Sequence, residues 1–394
     1  MITEKKSIML INLLLQVMFV GMLLGLFRTV IPALSESAFN VPKSSFIFLS
    51  TFVIAFGVIK GISNYYAGIF SDVYSRKSVL LASWLIVIPV PFILYFSTNW
   101  YYIIFASFLV GINQGLAWSV TQIASVDITK INKRGFILGL NEFSGYFGVA
   151  IGGIVVSYFI SLYSFKSTIF FFSALLVFLA FLYCVFLVED TKKYANIIIK
   201  NQPANIFFYV TWKNKKLFAY SQVAHIEKFL DTCIWIFFPV YLYNNGVILI
   251  DISYIVGIYA LTWGILQIFS GFYSDYVNKN ILIVLGMLIC ALTLPVCLLS
   301  LNTIWWSICS FFLGLGMALL YPSLSSAVNE NCDDNWRASA TGVYRFWRDT
   351  GYASGALALG IISSFMNIET GFIFVSLSMI LSTLILILIL KKYG

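Results

Sequence analysis

Charged side chains occur inside stretches of sequence that are otherwise apolar, and their chemistry is the most informative feature of the chain. Lys60, Asp231 and Arg348 each lie near the middle of such a stretch. A charge at the centre of a bilayer costs roughly 2.5–3.5 kcal/mol on insertion scales, so each one is by default a functional candidate. A buried carboxylate can exchange a proton for contact with a cation, and a buried guanidinium can bind an anion. We therefore expect substrate binding or proton exchange at these positions.

Several other titratable residues share this setting. Glu142, Glu227 and Asp349 are rivals of Asp231 for the proton-carrying role. Asp349 follows Arg345 by four residues, a spacing that allows a pair within one helix. The alternative for the whole group is structural, because charges that only pair with one another would hold helices together. The candidates for substrate binding or proton coupling are Asp231, Arg348, Lys60, Glu142, Asp349, Glu227, Arg345, Arg28 and His225.

The elements that carry these residues are predicted to be membrane-spanning helices. Of the 394 residues, 60% are hydrophobic and 10% are charged, whereas a soluble domain has about 25% charged residues. A spanning helix needs about 20 apolar residues. This composition excludes a soluble enzyme, a disordered chain and a secreted disulfide scaffold, and it predicts an all-α polytopic membrane protein. The predicted spans are 12–34, 46–70, 78–96, 100–125, 136–161, 167–188, 217–243, 252–274, 281–300, 303–328, 338–364 and 371–390.

The placement of Lys and Arg orients these twelve spans. Of 24 such residues, 17 fall in segments on the side of the N-terminus, and only Lys43 and Lys166 fall in loops on the other side. Positive loops stay in the cytoplasm, so both termini are expected to be cytoplasmic in the cell membrane. The net charge of +8 is explained by this bias, and no nucleic-acid partner is expected.

The two halves of the chain repeat each other at an offset of 203 residues. Chance matches would not keep one offset over such distances, so the pattern predicts two six-helix halves related by a parallel repeat. The expected domains are 1–188 and 217–394, joined by a cytoplasmic linker at 189–216. Pairs at this offset include Gly68 and Gly271, Asp72 and Asp275, Arg134 and Arg337, Gly148 and Gly351, and, with opposite charges, Arg28 and Asp231 and also Glu142 and Arg345.

The chain resembles the major facilitator superfamily over its whole length. The most specific mark is the loop Gly68-Ile-Phe-Ser-Asp72-Val-Tyr-Ser-Arg76-Lys77, with a weaker copy from Gly271 to Lys279. The stretches Asn113-Gln114-Gly115, Gly139-Leu-Asn-Glu142-Phe-Ser-Gly145-Tyr146 and Gly342-Val-Tyr-Arg345-Phe-Trp-Arg348-Asp349 are similar to one prokaryotic branch, in which drug or solute efflux is favoured. The resemblance implies twelve helices around a central cavity.

The same resemblance implies a gate on the cytoplasmic side. A small residue such as Gly68 allows two helices to approach closely, and an aspartate beside a helix N-terminus meets unsatisfied N–H groups. By this resemblance, Asp72 is expected to face the start of the eleventh span near Arg337, and Asp275 the start of the fifth near Arg134. The alternative is a routine helix cap with flanking positive charges. The expected gate residues are Gly68, Asp72, Arg76, Gly271, Asp275, Arg134 and Arg337.

Polar and aromatic side chains in the predicted spans are expected to line the cavity. Gln114, Trp118 and Gln122 recur at helical spacing along the fourth span and are able to share one face. Aromatic residues make up 18% of the chain, so most of them must serve packing or interfacial anchoring. The expected lining residues are Asn113, Gln114, Trp118, Asn141, Trp235, Gln267 and Tyr344.

These expectations combine into secondary active transport of a small solute by alternating access. The sequence has no G-x-x-x-x-G-K-[ST] loop, so an ion gradient is the expected energy source, with H⁺ first and efflux favoured over uptake. One histidine and six scattered cysteines make a metal site improbable. We expect a monomer without catalytic activity or cofactor. A lipid-handling translocase and a non-transporting sensor on the same fold are the open alternatives.

Overall fold

The computed structural model describes residues 4–42, 45–129, 134–195, 205–273, 277–332 and 336–393, and it is helical with no strand in these ranges. Lys43 and Asp275 lie outside the described residues, and the side chains of Asp72 and Arg337 are outside the description as well.

Twelve long helices account for most of the described residues. In the first half, α1 is Glu4–Ala33, α2 is Phe46–Val73, α3 is Arg76–Phe96, α4 is Trp100–Asp127, α5 is Arg134–Leu162 and α6 is Phe165–Leu187. In the second half, α7 runs without a break through Lys215–Thr232, Cys233–Phe237 and Phe238–Asn244, and then come α8 Leu249–Tyr273, α9 Lys279–Leu299, α10 Thr303–Glu330, α11 Arg337–Phe365 and α12 Ile368–Tyr393.

This architecture confirms the all-α, twelve-span prediction, with small shifts in the boundaries. Ten of the helices are long and apolar enough to cross a membrane. The other two, α7 and α11, carry most of the charges found inside spans. The helix α1 begins at Glu4 rather than at the predicted residue 12. Short helices at Ser35–Phe39, Lys192–Tyr194 and Ile206–Phe208 lie in the connections.

The 203-residue repeat is visible in the helix boundaries. The starting residues of α2 and α8, α3 and α9, α4 and α10, α5 and α11, and α6 and α12 are all 203 apart. The capping residues repeat as well: the Asn99 side chain accepts from Tyr101 N, and the Asn302 side chain accepts from Ile304 N. Because the caps satisfy N–H groups that the helix leaves unpaired, the same polar residues set the same boundaries twice.

Both α1 and α7 contain a π-helical turn deep in the bundle. These turns are Leu26–Val30 and Cys233–Phe237, and a proline follows each of them, Pro32 in α1 and Pro239 in α7. Proline lacks an N–H donor and crowds the preceding turn, which makes a local widening of the helix favourable. Such turns often mark functional sites, and Arg28 lies within the first one.

The two halves meet closely at the end of the bundle opposite the termini. We call the end that carries Glu4 and Tyr393 the termini face. On the opposite side, Ser157 of α5 and Ser253 of α8 share a hydrogen bond, and Trp235 Nε1 of α7 donates to the α1 carbonyl of Phe27 at 2.8 Å. These contacts close the opposite face.

The helices α2 and α11 pack tightly only along part of their length. A Cβ on Gly57 would come within 2.7 Å of Ala353 N, and one on Gly61 within 3.2 Å of Thr350. Gly68 lies seven residues further on, hence on the same face of α2, yet a Cβ there would meet nothing within 4 Å among the described residues. In that part of the chain, no other helix is seen close to Gly68, where the sequence predicts a close approach.

Candidate functional site: a charged cavity between the halves

A narrow cavity lies at the centre of the bundle, with a volume of about 30 Å³ that a water-sized sphere can enter. Arg28 and Tyr352, on the side of the opposite face, are buried, whereas Asn64, Trp118 and Arg345, toward the termini face, are half-buried. The cavity is thus sealed from one end. Its walls are formed by Leu24, Arg28, Lys60, Asn64, Gln114, Trp118, Ser119, Gln122, Glu142, Tyr146, Tyr321, Arg345, Arg348, Asp349 and Tyr352.

The deepest contact between the halves is an ion pair between Arg28 of α1 and Asp231 of α7. The guanidinium donates two parallel hydrogen bonds, Nη1 to Oδ1 at 2.8 Å and Nη2 to Oδ2 at 2.9 Å. The two side chains are 2% and 0% exposed. This bidentate geometry is the strongest form of an arginine–carboxylate pair, and burial makes it costly to leave either partner alone. Arg28 is therefore fixed in the core and does not snorkel to the interface.

Aromatic hydroxyls and a lysine complete the surroundings of Asp231. Tyr352 of α11 donates to Oδ2 of this carboxylate and also receives a hydrogen bond from Arg28 at 2.9 Å. Tyr259 of α8 donates to Oδ1 at 3.2 Å, and Lys228 Nζ lies 3.3 Å from Oδ2. Four helices, α1, α7, α8 and α11, thus converge on one buried carboxylate.

A second buried carboxylate, Glu227, lies between two cations. Arg348 Nε of α11 donates to its Oε1 at 2.8 Å, and Lys228 Nζ is 3.3 Å from the same atom. The other oxygen, Oε2, has no hydrogen-bond partner among the described residues. Since Lys228 contacts both Glu227 and Asp231, it joins the two carboxylates of α7 into one network.

A third ion pair connects α2 to α11. Lys60 Nζ lies 3.2 Å from Asp349 Oδ1. Asn64, one turn further along α2, donates to the other oxygen of Asp349 and accepts from Ser119 Oγ of α4 at 2.7 Å. The carboxylate of Asp349 therefore pairs across the halves with Lys60, and not with Arg345, which the four-residue spacing within α11 also allows.

Glu142 of α5 is held by neutral donors. Trp118 Nε1 donates to its Oε1 at 2.8 Å, Gln122 donates to the same atom, and Tyr321 of α10 does so at 3.4 Å. Arg345 Nη2 donates to Gln122 Oε1. Arg345 has no carboxylate within 4.0 Å in the part of the chain that the structure describes, so Gln122 alone links it to Glu142.

The charges of this site do not balance. Five cations, Arg28, Lys60, Lys228, Arg345 and Arg348, face four carboxylates, Glu142, Glu227, Asp231 and Asp349. On the cavity wall itself, four of these cations stand against two of the carboxylates. A low-dielectric cavity with surplus positive charge attracts an anion.

Several residues predicted to line the cavity lie behind its wall. Asn113 donates to the α3 carbonyl of Ser83 at 3.0 Å, whereas its neighbour Gln114 lines the cavity. Adjacent residues of a helix point about 100° apart, so Asn113 and Gln114 have different surroundings. The predicted lining residues that the structure keeps behind the wall are Asn113, Asn141, Trp235, Gln267 and Tyr344, and those on the wall are Gln114 and Trp118.

Trp235 and His225 are placed at the edges of this network. The Trp235 ring lies 4.9 Å from the Arg28 guanidinium carbon and so packs against the deepest ion pair. His225 lies outside the cavity, where Nδ1 bonds to the Trp347 carbonyl and Nε2 to Ser354 Oγ, both at 2.8 Å. Both ring nitrogens are therefore occupied by α11.

The predicted gate is described only in part. Arg76 Nε donates to Asp127 at 3.0 Å and Arg76 Nη1 donates to the Ser71 carbonyl at 2.6 Å, so this arginine ties α3 to the ends of α2 and α4. A Cβ on Gly271 would meet Pro322 at 3.8 Å, an ordinary contact. Arg134 begins α5 and is half-buried. The contacts predicted for Asp72, Asp275 and Arg337 lie outside the described residues.

Sequence reasoning missed Asn64, Ser119, Tyr321, Tyr352 and the bridging role of Lys228. A usable signal existed for two of them. Asn64 follows Lys60 by four residues, and Tyr352 follows Arg348 by four, so each shares a helix face with a predicted site residue. The contribution of Ser119 and Tyr321 depends on how α4 and α10 are rotated.

The fold and the site together define a polytopic membrane protein whose two homologous halves enclose a charged cavity. The model of the Major Facilitator Superfamily matches residues 13–226 and again 223–393. The chain belongs to this superfamily, whose members are generally solute transporters rather than enzymes.

Solved structures agree with this assignment at the level of the fold. The human organic anion transporter MFSD10 (TETRAN) has a TM-score of 0.70 at 16% sequence identity, with 97% of this chain and 98% of that chain covered. The nucleoside transporter NupG, solved as a point mutant, has a TM-score of 0.76 at 15% identity, covering 97% of this chain and 99% of that chain. No curated protein matches this chain by sequence.

Proposed function

We propose that this protein is a secondary active transporter that moves a small anionic solute across the cytoplasmic membrane by alternating access. The observation that carries the proposal is the cavity between the halves, with four cations and two carboxylates on its wall. Two of these cations, Arg28 and Arg348, are paired with Asp231 and Glu227 behind the wall. The whole site therefore has one more cation than carboxylates, and a solute with one negative charge would neutralise this surplus.

Alternating access requires contacts that break when the halves move. Arg28–Asp231 joins α1 to α7, and Lys60–Asp349 joins α2 to α11, so both ion pairs cross between the halves. In the described conformation they lie below a closed opposite face. Opening that face would separate these pairs. The termini face would close at the same time, and a Cβ on Gly68 there meets nothing within 4 Å among the described residues.

Proton coupling follows from the same pairs. A carboxylate that loses its cation in a low-dielectric site becomes costly to keep charged, and a proton removes that cost. Asp231 is the primary candidate because it makes the bidentate contact across the halves, and Asp349 is the second. Glu142 and Glu227 are further candidates. Efflux is favoured over uptake through the resemblance to efflux carriers.

In the proposed membrane topology, both termini lie in the cytoplasm. The linker 189–216 joins two six-helix domains, 1–188 and 217–394. The positive charges of the linker and of the chain ends support this orientation, since cytoplasmic segments retain Lys and Arg. The protein is proposed to act as a monomer, because each chain encloses its own cavity.

The test is proton movement driven by solute in liposomes. Anionic metabolites that raise the thermal unfolding temperature of the purified protein would be added to proteoliposomes containing a pH-sensitive dye. The wild type is expected to move protons when a stabilising anion is added, and Asp231→Asn is expected to abolish this signal.

The matched control is Asp251→Asn, which removes a carboxylate in the first turn of α8, outside the cavity. It should keep the full signal. Solute-driven proton movement by Asp231→Asn at the wild-type rate would remove Asp231 from the mechanism. Stabilisation by organic cations and by no anion would reject the substrate class.

A further inference from the structure

A groove separate from the central cavity lies on the side of the second half, near the termini face. The π-helical turn Tyr209–Lys213, just before α7, lies against α11 there, and Trp347 Nε1 donates to Thr211 Oγ at 3.0 Å. The space beneath it has a volume of about 240 Å³ that a water-sized sphere can enter. We call it the linker groove, and its main walls are Trp212, Phe218, Ser221, Gln222, His225 and Trp347.

The inside of the linker groove is apolar, with one exception. The polar side chains of Gln222 and His225 are already paired: Gln222 exchanges hydrogen bonds with Ser382 of α12, and His225 bonds to α11 through both ring nitrogens. Ser221, which is 4% exposed, has no hydrogen-bond partner for its Oγ among the described residues. The groove therefore suits a hydrocarbon chain that carries an acceptor at the depth of Ser221, as the ester of a phospholipid does.

A positively charged depression adjoins the linker groove. Trp212 and Phe218 stack with ring centroids 6.3 Å apart and separate the linker groove from this second, wider depression. Lys215 and Lys392 line that depression. Neither lysine has a carboxylate within 4.0 Å in the portion of the chain that is described.

The position of these lysines matches a membrane surface. Lys392 lies at the end of α12, Lys215 lies at the start of α7, and the exposed Trp212 beside them is a residue type that anchors helices at the interface. A basic pocket at this level attracts the phosphate of an anionic lipid, whereas a neutral headgroup gains little from it.

We propose that the linker groove and its lysines bind an anionic phospholipid of the leaflet on the termini face. One acyl chain fills the groove below Trp212, an ester oxygen accepts from Ser221 Oγ, and the phosphate contacts Lys215 and Lys392. The lipid thereby holds the end of the interdomain linker against α7 and α11. This inference does not depend on the transported solute or on the coupling ion.

The experiment measures lipid binding to the purified full-length chain by native mass spectrometry, with phosphatidylglycerol and phosphatidylcholine as probes. The wild type is expected to retain phosphatidylglycerol in preference to phosphatidylcholine. The double variant Lys215→Gln/Lys392→Gln should bind phosphatidylglycerol roughly 10- to 30-fold more weakly, because each basic residue near the surface contributes about one factor of five. Ser221→Leu, which fills the groove, should weaken binding while both lysines remain.

The matched control is Lys192→Gln/Lys193→Gln, which removes two positive charges from the same face at the end of the first half. It should leave phosphatidylglycerol binding at the wild-type level. Equal losses in the two double variants would show a general effect of charge and overturn the proposal. Equal retention of the two lipids by the wild type would overturn it too.

Discussion

Two pairs of opposite charges occupy equivalent places in the two halves, and they behave differently. Arg28 and Asp231 are 203 residues apart and meet in a bidentate ion pair at 2.8 and 2.9 Å. Glu142 and Arg345 are also 203 residues apart, yet they do not touch, and Gln122 connects them. The first pair is fully buried beneath the opposite face, and both members of the second pair line the cavity.

The contrast between the two pairs shows when repeat-related residues of opposite charge can form an ion pair. The two halves are related by an approximate two-fold axis between them. Residues at equivalent positions can meet only where both lie close to this axis, and Arg28 of α1 and Asp231 of α7 do so. The helices α5 and α11 hold Glu142 and Arg345 further apart, with the Gln122 side chain between them. The same 203-residue offset thus gives a direct ion pair between Arg28 and Asp231, but no direct contact between Glu142 and Arg345.

The largest expected loss of stability comes from breaking the buried ion pair between Arg28 and Asp231. Asp231→Ala leaves Arg28 buried without a carboxylate, so the free energy of unfolding should fall by about 3–5 kcal/mol. Thermal or denaturant unfolding of the purified protein measures this change. Glu142→Ala is the comparison, and it should cost about 1–3 kcal/mol because its partners are neutral donors.

A double variant sharpens this comparison. Arg28→Met combined with Asp231→Ala removes both charges, and most of the lost stability should return, since a buried pair replaced by apolar groups is often neutral. Equal losses for Asp231→Ala and Glu142→Ala, or a double variant less stable than Asp231→Ala, would contradict the distinction between the two pairs.

The next prediction compares two glycines of α2, one packed tightly against α11 and one without a close neighbour among the described residues. Gly57→Ala places a methyl group against the α11 backbone at 2.7 Å, so it should destabilise the protein by about 1–3 kcal/mol through overpacking. Gly68→Ala meets open space and should be neutral or stabilising by up to about 1 kcal/mol. Unfolding temperatures of the two variants measure the difference, and a larger loss at Gly68 would show that the helices are in contact there.

The smallest effect concerns Arg345, the cation on the open side. Arg345→Gln strands no carboxylate, so its unfolding temperature should stay within a few degrees of the wild type. The KM for an anionic solute should rise roughly 5- to 10-fold, in line with the loss of one charge-assisted hydrogen bond. Transport assays at varied solute concentration measure this change. An unchanged KM would place the solute away from Arg345.

Much of the fold could be predicted, because apolar runs and helix-capping residues determine each helix from its own stretch of sequence. Apolar runs of about 20 residues have to form helices in a bilayer, where every backbone N–H and C=O needs an internal partner. Asn99 and Asn302 cap equivalent helices at the repeat offset, so the duplication is visible in the sequence. The set of intramembrane charges was also available, since a charge stands out in an apolar run.

The partners of these charges could not be predicted, because they depend on helix rotation and on depth. The four-residue spacing allows a pair of Asp349 with Arg345, but Asp349 contacts Lys60 of the other half. Asn113 and Gln114 are equivalent candidates in the sequence, and the rotation of α4 directs one toward Ser83 and the other toward the cavity.

The sequence by itself determined that the chain is a duplicated bundle of twelve membrane helices with charges confined to a few of them, because hydropathy and repetition act along the chain. The tertiary structure alone decided which of those charges touch, because electrostatic pairing acts over a few ångströms between helices that are far apart in sequence. The excess of cations on the cavity wall, from which the anionic substrate is proposed, arises only at that second level.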